Sequence, residues 1–222
     1  MEKKNIWAVI PAYNEHRHIA LIIKKTKRHL SNVLVVDDGS KDDTSAIAKA
    51  QGALVIRHVV NLGKGATLRT GCDFAVKNGA KSMIVLDADA QHDPDEIPRF
   101  LEKLLKFDMV FSYRKRNSKM PTVLRFGNWF ISSAVGILYG IRIKDTQCGY
   151  RAFTADTYKK IRWFASDYSM ESEMIAKAGK QKLKYAQIPI ETIYSDNYKG
   201  TTVIDGFKII LNMIWWKLFN GR

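Results

Sequence analysis

The sequence predicts an α/β fold in which helices flank a mostly parallel central sheet on both faces. Three observations lead there. Between residues 6 and 112, short β-rich runs alternate with stretches of 3.6-residue periodicity, the pattern of βαβ units. The chain has 222 residues, 46% hydrophobic and 26% charged, which suits one domain with a real core and neither a disordered polyelectrolyte nor a polytopic membrane protein. No internal repeat or low-complexity tract demands a second domain.

The first run, Ile6–Ile10, meets Pro11 in the segment Pro11-Ala12-Tyr13-Asn14-Glu15. The proline is expected to stop the strand and Asn14 to cap the following helix. The second run, Val33–Val36, ends in Asp37-Asp38-Gly39-Ser40. Two adjacent carboxylates at a strand end repel each other, which favours a ligand role. The third, Leu54–His58, leads into Asn61-Leu62-Gly63-Lys64-Gly65. Gly63 and Gly65 are expected to open a helix from Ala66 onward, either with exposed N–H groups and Lys64 near a phosphate or as a plain helix start.

The fourth run, Ser82–Leu86, carries the sharpest signal, because it passes directly into Asp87-Ala88-Asp89 with Gln91 close behind. Hard oxygen ligands at a strand end suit Mg²⁺ or Mn²⁺ shared with a diphosphate, and the small Ala88 leaves room for it. Ligands of open α/β sheets bind beyond the carboxyl ends of the strands, where these acids stand. An aspartate-nucleophile phosphatase would carry such a pair on its first strand. A P-loop needs a spacing that Gly63-Lys64-Gly65 lacks, and no Gly-x-Gly-x-x-Gly follows the first strand.

After the fifth run, Met109–Ser112, the character changes. A basic segment from Tyr113 to Lys119 precedes Pro121 and an apolar stretch, Val123 to Ile143. A loop-rich region 144–154 is expected next, then helices near 155–163 and 170–180, a strand pair near 183–194 and a last helical run from Val203 to Phe219. Charge follows the same division. The chain has 36 Lys+Arg against 22 Asp+Glu, a net +14, yet residues 1–100 hold 15 basic and 12 acidic side chains and the remainder 21 and 10. The second part therefore prefers an anionic partner: nucleic acid, an anionic membrane or a phosphorylated substrate. Cys72 and Cys148 are too few for a disulfide framework and read as thiols in a reducing compartment. The first ten residues do not make a secretory signal, and no run reaches the ~18–20 apolar residues of a spanning helix.

Taken together, Pro11–Glu15, Asp37–Ser40, Asn61–Gly65, Asp87–His92 and Asp145-Thr146-Gln147-Cys148-Gly149-Tyr150-Arg151 resemble family 2 glycosyltransferases of the GT-A fold. Within these, they are most similar to the dolichol-phosphate mannose synthase and polyprenyl-phosphate glycosyltransferase branch. The resemblance covers roughly residues 5–219. It implies a single GT-A domain, with 1–112 binding the nucleotide sugar and 113–222 facing acceptor and membrane. It places Pro11, Ala12, Tyr13 and Glu15 around the nucleotide, with Val36 and Asp38 completing the base contact. Lys64, Asp87, Ala88, Asp89, Gln91 and Arg114 would line the donor diphosphate, with Asp87, Asp89 and Gln91 holding Mg²⁺ or Mn²⁺. Arg114, Arg125 and Arg151 would meet the acceptor phosphate, Glu173 would be the acid near the acceptor, and Lys199 would close over the donor from a loop. Thr192 stands where mannose synthases often have an arginine, so neither the sugar nor the choice of GDP- or UDP-linked donor is copied from one relative.

The implied reaction is an inverting displacement at the anomeric carbon. A lipid-phosphate acceptor is already an anion and needs no strong base, whereas a saccharide hydroxyl would need one such as Glu173. A lipid acceptor also calls for membrane contact. The segment Pro121–Ile143, with Trp129 and Tyr139, and the run Val203 to Phe219, with Trp215 and Trp216, suit amphipathic helices lying in the interface; core or dimer helices are the plainer reading. The expectation is a peripheral enzyme on the cytoplasmic face of the membrane that binds no nucleic acid. A homo-oligomer or a membrane-anchoring partner is left open.

Overall fold

The computed structural model describes residues 5–115 and 132–191. Seven strands form one sheet: β1 (Ile6–Ala12), β2 (Asn32–Asp37), β3 (Leu54–Arg57), β4 (Ser82–Val85), β5 (Met109–Arg114), β6 (Arg151–Thr154) and β7 (Tyr185–Ile190). Their order is β3-β2-β1-β4-β6-β5-β7. All pairings are parallel except those of β6, which lies antiparallel between β4 and β5. The helices are α1 (Ile19–Lys27), α2 (Thr44–Ala50), α3 (Lys64–Lys77), α4 (Ile97–Leu104), α5 (132–139), α6 (Ala155–Ile161) and α7 (Met170–Lys180).

The two faces of the sheet follow from the period of two in a strand. Val9, Leu34, Val36, Met83, Val85 and Phe111 pack under α3, α6 and α7. Their neighbours Ala8, Ile10, Val35, Ile84 and Val110 pack under α1 and α4. Burial on both faces explains why these strands read as continuous apolar runs. Both cysteines are buried free thiols.

The five expected strands form within two residues of their expected spans. Pro11 does not stop β1, which continues to Ala12. Val9 O accepts from Leu86 N while Ala12 O accepts from Asp38 N, so odd-numbered residues of β1 face β4. Pairing with β4 ends at Val9, and the missing N–H of Pro11 therefore costs no ladder bond. Asn14 does not cap α1, whose N-cap is His18. It sits at φ 56° in a turn.

The region expected as loop, 144–154, contributes β6. Its four residues begin with an arginine, which hides the strand pattern, yet Arg151 pairs with Val85 on one side and Phe111 on the other. Near 183–194 the described residues hold one strand, β7, at the edge beside β5. Tyr139, expected at headgroup depth, is buried at the end of α5 with Val135, and burial pushes its phenol up to about 12. Trp129 and the run from Val203 to Phe219 lie outside the described residues.

Candidate active site

Strand order reverses between β1 and β4, since the chain adds β2 and β3 on one side of β1 and β4 on the other. Such a reversal opens a crevice at the strands' carboxyl ends. Asp87 and Asp89 stand there, two and four residues beyond the end of β4, around a buried Ala88. Lys64, the first residue of α3, reaches across to them. Its Nζ lies 2.9 Å from Asp87 Oδ1 and 3.0 Å from Glu171 Oε1 on α7. Burial alone would lower the lysine's proton affinity and raise that of Asp87. Asp87 and Glu171 together outweigh burial at Lys64, and Lys64, His92 and Arg151 together outweigh it at Asp87, so Lys64 is raised and Asp87 lowered. Asp89 is displaced the other way, by burial and then by the charge of Asp87. Gln91 donates its backbone N–H to Asp89 Oδ1 at 3.0 Å.

This arrangement fits a divalent cation held jointly with a ligand. Asp89 is a half-buried carboxyl under repulsion from Asp87, and positive charge between them would relieve it. Among the described residues, no three His, Cys, Asp or Glu side chains are grouped to hold a metal by themselves. The protein would thus supply Asp87 and Asp89 as hard oxygens, with the remaining ligands from diphosphate and water, as Mg²⁺ commonly accepts.

The start of α3 is built by close backbone approach. A Cβ on Gly65 would lie 2.3 Å from Ala165 O, so only glycine admits the loop that runs from Trp163 to Asp167. Gly65 N–H donates to Ser166 O at 2.7 Å, and Ala66 N–H to the same oxygen at 3.3 Å. Of the two expectations for these groups, facing a phosphate or a plain helix start, the structure has them engaged within the protein, and the Lys64 side chain carries positive charge from this helix start into the site. Gly149 admits that side chain, since a Cβ there would meet Asp87 Oδ2 at 2.7 Å and Lys64 Nζ at 2.9 Å.

The adjacent acids Asp37 and Asp38 are relieved without a ligand. Asp37 accepts from Ser40 N at 2.9 Å and from Ser45 Oγ. Asp38, expected at the base, accepts from Leu62 N and Gly63 N at 2.9 Å and from His58 Nδ1 at 2.7 Å, so its carboxylate ties down the 58–63 loop. The side chain of Val36 is fully buried beneath α3. Around Pro11, Ala12, Tyr13 and Glu15, the first two strand-to-helix turns are stitched together. Asn14 N–H donates to Ser40 Oγ, Lys41 N–H to Asn14 Oδ1 and Glu15 N–H to Thr44 Oγ1. Tyr13 is left 41% exposed beside this clasp, open to a flat ligand.

Arg114, at the end of β5, is gripped by Asp145 in a two-point pair, Nε to Oδ2 at 2.7 Å and Nη2 to Oδ1 at 3.0 Å. Burial would raise the Asp145 carboxyl, but Arg114 holds it below the usual range. Arg151, expected at the acceptor phosphate, is instead 1% exposed, with its guanidinium directed at backbone carbonyls. Glu173 does not join the cluster either. Its carboxylate accepts from Phe164 N, Ala165 N and Lys177 Nζ. Residues two apart on a helix point about 200° apart, so Glu171 faces Lys64 while Glu173 faces the 163–165 loop. Sequence reasoning missed Glu171. The spacing shows that only one of the two acids reaches the site but not which. Arg125 and Lys199 lie outside the described residues.

Comparison with known proteins identifies the family and the fold. The family profile described as Glycosyl transferase family 2 matches residues 7–162. The chain is 32% identical over 246 residues to a UDP-N-acetylglucosamine–dolichyl-phosphate N-acetylglucosaminyltransferase of Methanococcus voltae, covering 98% of each chain. It is 29% identical over 199 residues to an undecaprenyl-phosphate mannosyltransferase of Micrococcus luteus, covering 83% of this chain and 82% of the relative. In three dimensions it resembles glucosyl-3-phosphoglycerate synthase of Mycobacterium tuberculosis, crystallised with Mg²⁺ and UDP. The TM-score is 0.76 at 20% identity, covering 96% of this chain and 79% of the other.

Proposed function

The chain belongs to glycosyl transferase family 2, and we propose that this glycosyltransferase moves a sugar from a nucleoside-diphosphate donor onto the phosphate of a polyprenyl lipid. Relatives matched over most of their length carry names for transfer to dolichyl or undecaprenyl phosphate. The observation that carries the reading is the state of the acids around the crevice. Glu171 is paired with Lys64, and Glu173 is bound to two backbone N–H groups. A phosphate acceptor arrives ionised and needs neither as a strong base, whereas a sugar hydroxyl would need one of them released.

In this reading, Tyr13 and the clasped turns seat the nucleoside, and Asp87 and Asp89 face the diphosphate. Arg114 orients the acceptor phosphate, as a planar guanidinium does well. A divalent ion between the two aspartates would neutralise charge gathering on the departing nucleoside diphosphate. Lys64 supplies a fixed positive charge beside it. Attack from the face opposite the leaving group inverts the anomeric centre. The acceptor places the enzyme at a membrane surface, on the cytoplasmic side where nucleotide sugars are at hand.

The test is transfer by the purified protein from a panel of UDP- and GDP-sugars to polyprenyl phosphate, a saccharide and phosphoglycerate, with and without a chelator. Chelator-sensitive transfer to the lipid is expected. Transfer to the saccharide or to phosphoglycerate with none to the lipid would overturn the reading.

A further inference from the structure

Two ionic groups in the segment from Asp145 to Arg151 are buried beside the site without facing the crevice. Arg151 sits in β6 between Val85 and Phe111. Its Nε donates to Cys148 O at 3.0 Å, Nη2 to Thr146 O at 2.6 Å, and Nη1 to Glu171 O at 3.0 Å and Met174 Sδ at 3.3 Å. Every one of these acceptors is neutral. A buried guanidinium without a carboxylate partner is tolerated only when its N–H groups are satisfied. Here that requirement draws carbonyls from two separate segments, the 146–148 turn and the first turn of α7, onto one rigid fork.

Each segment so gathered presents a group to the site. The turn holds Gly149, whose missing side chain leaves space for Lys64 beside Asp87, and it starts from Asp145, which grips Arg114. Asp145 also accepts from Gln147 N at 3.2 Å, so its carboxylate is fixed by the same turn that Arg151 fixes. The turn of α7 carries Glu171, whose side chain holds Lys64.

We infer that Asp145 and Arg151 are positioning residues. Arg151 locks the 146–148 turn and the start of α7, and Asp145, held by that turn, aims Arg114 at the acceptor phosphate. Neither touches substrate. The inference takes the acceptor role of Arg114 from the proposed function.

A double-mutant cycle tests it, using Arg114→Lys, Asp145→Asn, their combination, and Arg151→Lys. Kinetics would use the donor and acceptor that the wild type turns over, and binding of that donor's nucleoside diphosphate would be followed by calorimetry. Asp145→Asn should raise the acceptor KM about tenfold or more, the scale of a lost charge-assisted pair, and leave the nucleoside-diphosphate Kd unchanged. The combined variant should be no worse than Arg114→Lys alone. Arg151→Lys should lower the thermal midpoint and raise the acceptor KM in the same sense. Additive losses in the double variant, weakened nucleoside-diphosphate binding in Asp145→Asn, or a fall in kcat at unchanged acceptor KM would each overturn the inference. A folded Arg151→Lys protein with the wild-type midpoint and acceptor KM would overturn the locking role; should it fail to fold, Arg151→Gln is measured in its place. A wild type that ignores polyprenyl phosphate but uses another acceptor defeats the function proposed above, and the cycle is then read on that acceptor.

Discussion

Two glutamates on α7, two residues apart, have separate duties, and exchanging each for glutamine should separate them. Glu173 accepts from the N–H groups of Phe164 and Ala165. An amide there would turn a donor toward at least one of them. Glu173→Gln should therefore cost about 1–3 kcal/mol of stability, the range for disturbing a buried hydrogen-bonded group, while leaving transfer by the folded enzyme largely intact. Glu171→Gln removes one of the two anions around Lys64 and should cut transfer on the order of tenfold, the effect of about 1.4 kcal/mol on a barrier. Urea melts and initial rates on the same samples check both. A Glu173→Gln protein as stable as wild type but inactive would put the reacting acid back where sequence reasoning placed it. At this scale the sequence was informative about residue types at strand ends, because Asp87, Asp89 and Lys64 follow directly from strand-to-loop transitions. It was uninformative where orientation decides. Val36 and Arg151 have the right types in the right motifs, yet strand alternation buries both side chains.

Elements meet at two glycines whose replacement should have opposite consequences. A methyl on Gly65 would strike the backbone oxygen of Ala165 at 2.3 Å, which cannot yield without moving the loop over α3. Gly65→Ala should then destabilise by about 1–3 kcal/mol, as overpacking does. A methyl on Gly149 would meet the ends of the Asp87, Lys64 and Glu171 side chains and no backbone atom nearer than these. These can shift, so Gly149→Ala should fold nearly normally and lose activity as the ion pair opens. Melting curves and transfer rates for the two variants should cross; a stable Gly65→Ala protein would contradict the close approach. The turns after β1 and β2 provide a pH test. Asp42 accepts from Thr44 Oγ1, from Thr44 N at 3.0 Å, from His16 Nδ1 at 2.7 Å and from His16 N at 3.2 Å. Burial alone would raise its pKa, but these donors bring it from 3.8 to about 2. A carboxyl depressed on folding contributes stability above its unfolded pKa and loses it as pH falls through the folded one. The stability gap between wild type and Asp42→Asn should thus be full at pH 5 and shrink between about pH 4 and pH 2. A gap that is constant or widens on acidification would count against the pairing. Most elements could be read from the alternation of periods. The exception, β6, has four residues and opens on a buried arginine, so neither length nor polarity marks it as a strand.

The whole molecule joins a nearly charge-balanced donor crevice to a basic remainder, and that asymmetry has a measurable consequence. The crevice arises from the order of the sheet, which reverses at β1 and β4, and Lys64 pairs there with Asp87 and Glu171. The excess charge of the chain lies elsewhere, since 21 basic and 10 acidic side chains fall after residue 100. Among the described residues no helix is long and apolar enough to cross a membrane, so attraction to a bilayer through these residues would depend on surface contact. Basic side chains near an anionic leaflet contribute roughly 1 kcal/mol each, and salt shortens the reach of that attraction from about 10 Å at 0.1 M to about 3 Å at 1 M. The protein should therefore co-sediment with vesicles containing an anionic phospholipid at low salt, bind neutral vesicles much less, and leave the anionic ones as salt approaches 1 M. Transfer to polyprenyl phosphate embedded in those vesicles should fall along the same salt axis, whereas transfer to a short-chain, water-soluble analogue should fall less. Equal binding to neutral and anionic vesicles would show that charge does not recruit the enzyme. Loss of transfer to both acceptors in parallel would place the salt effect in the crevice, at Lys64 and Arg114, and not at the membrane.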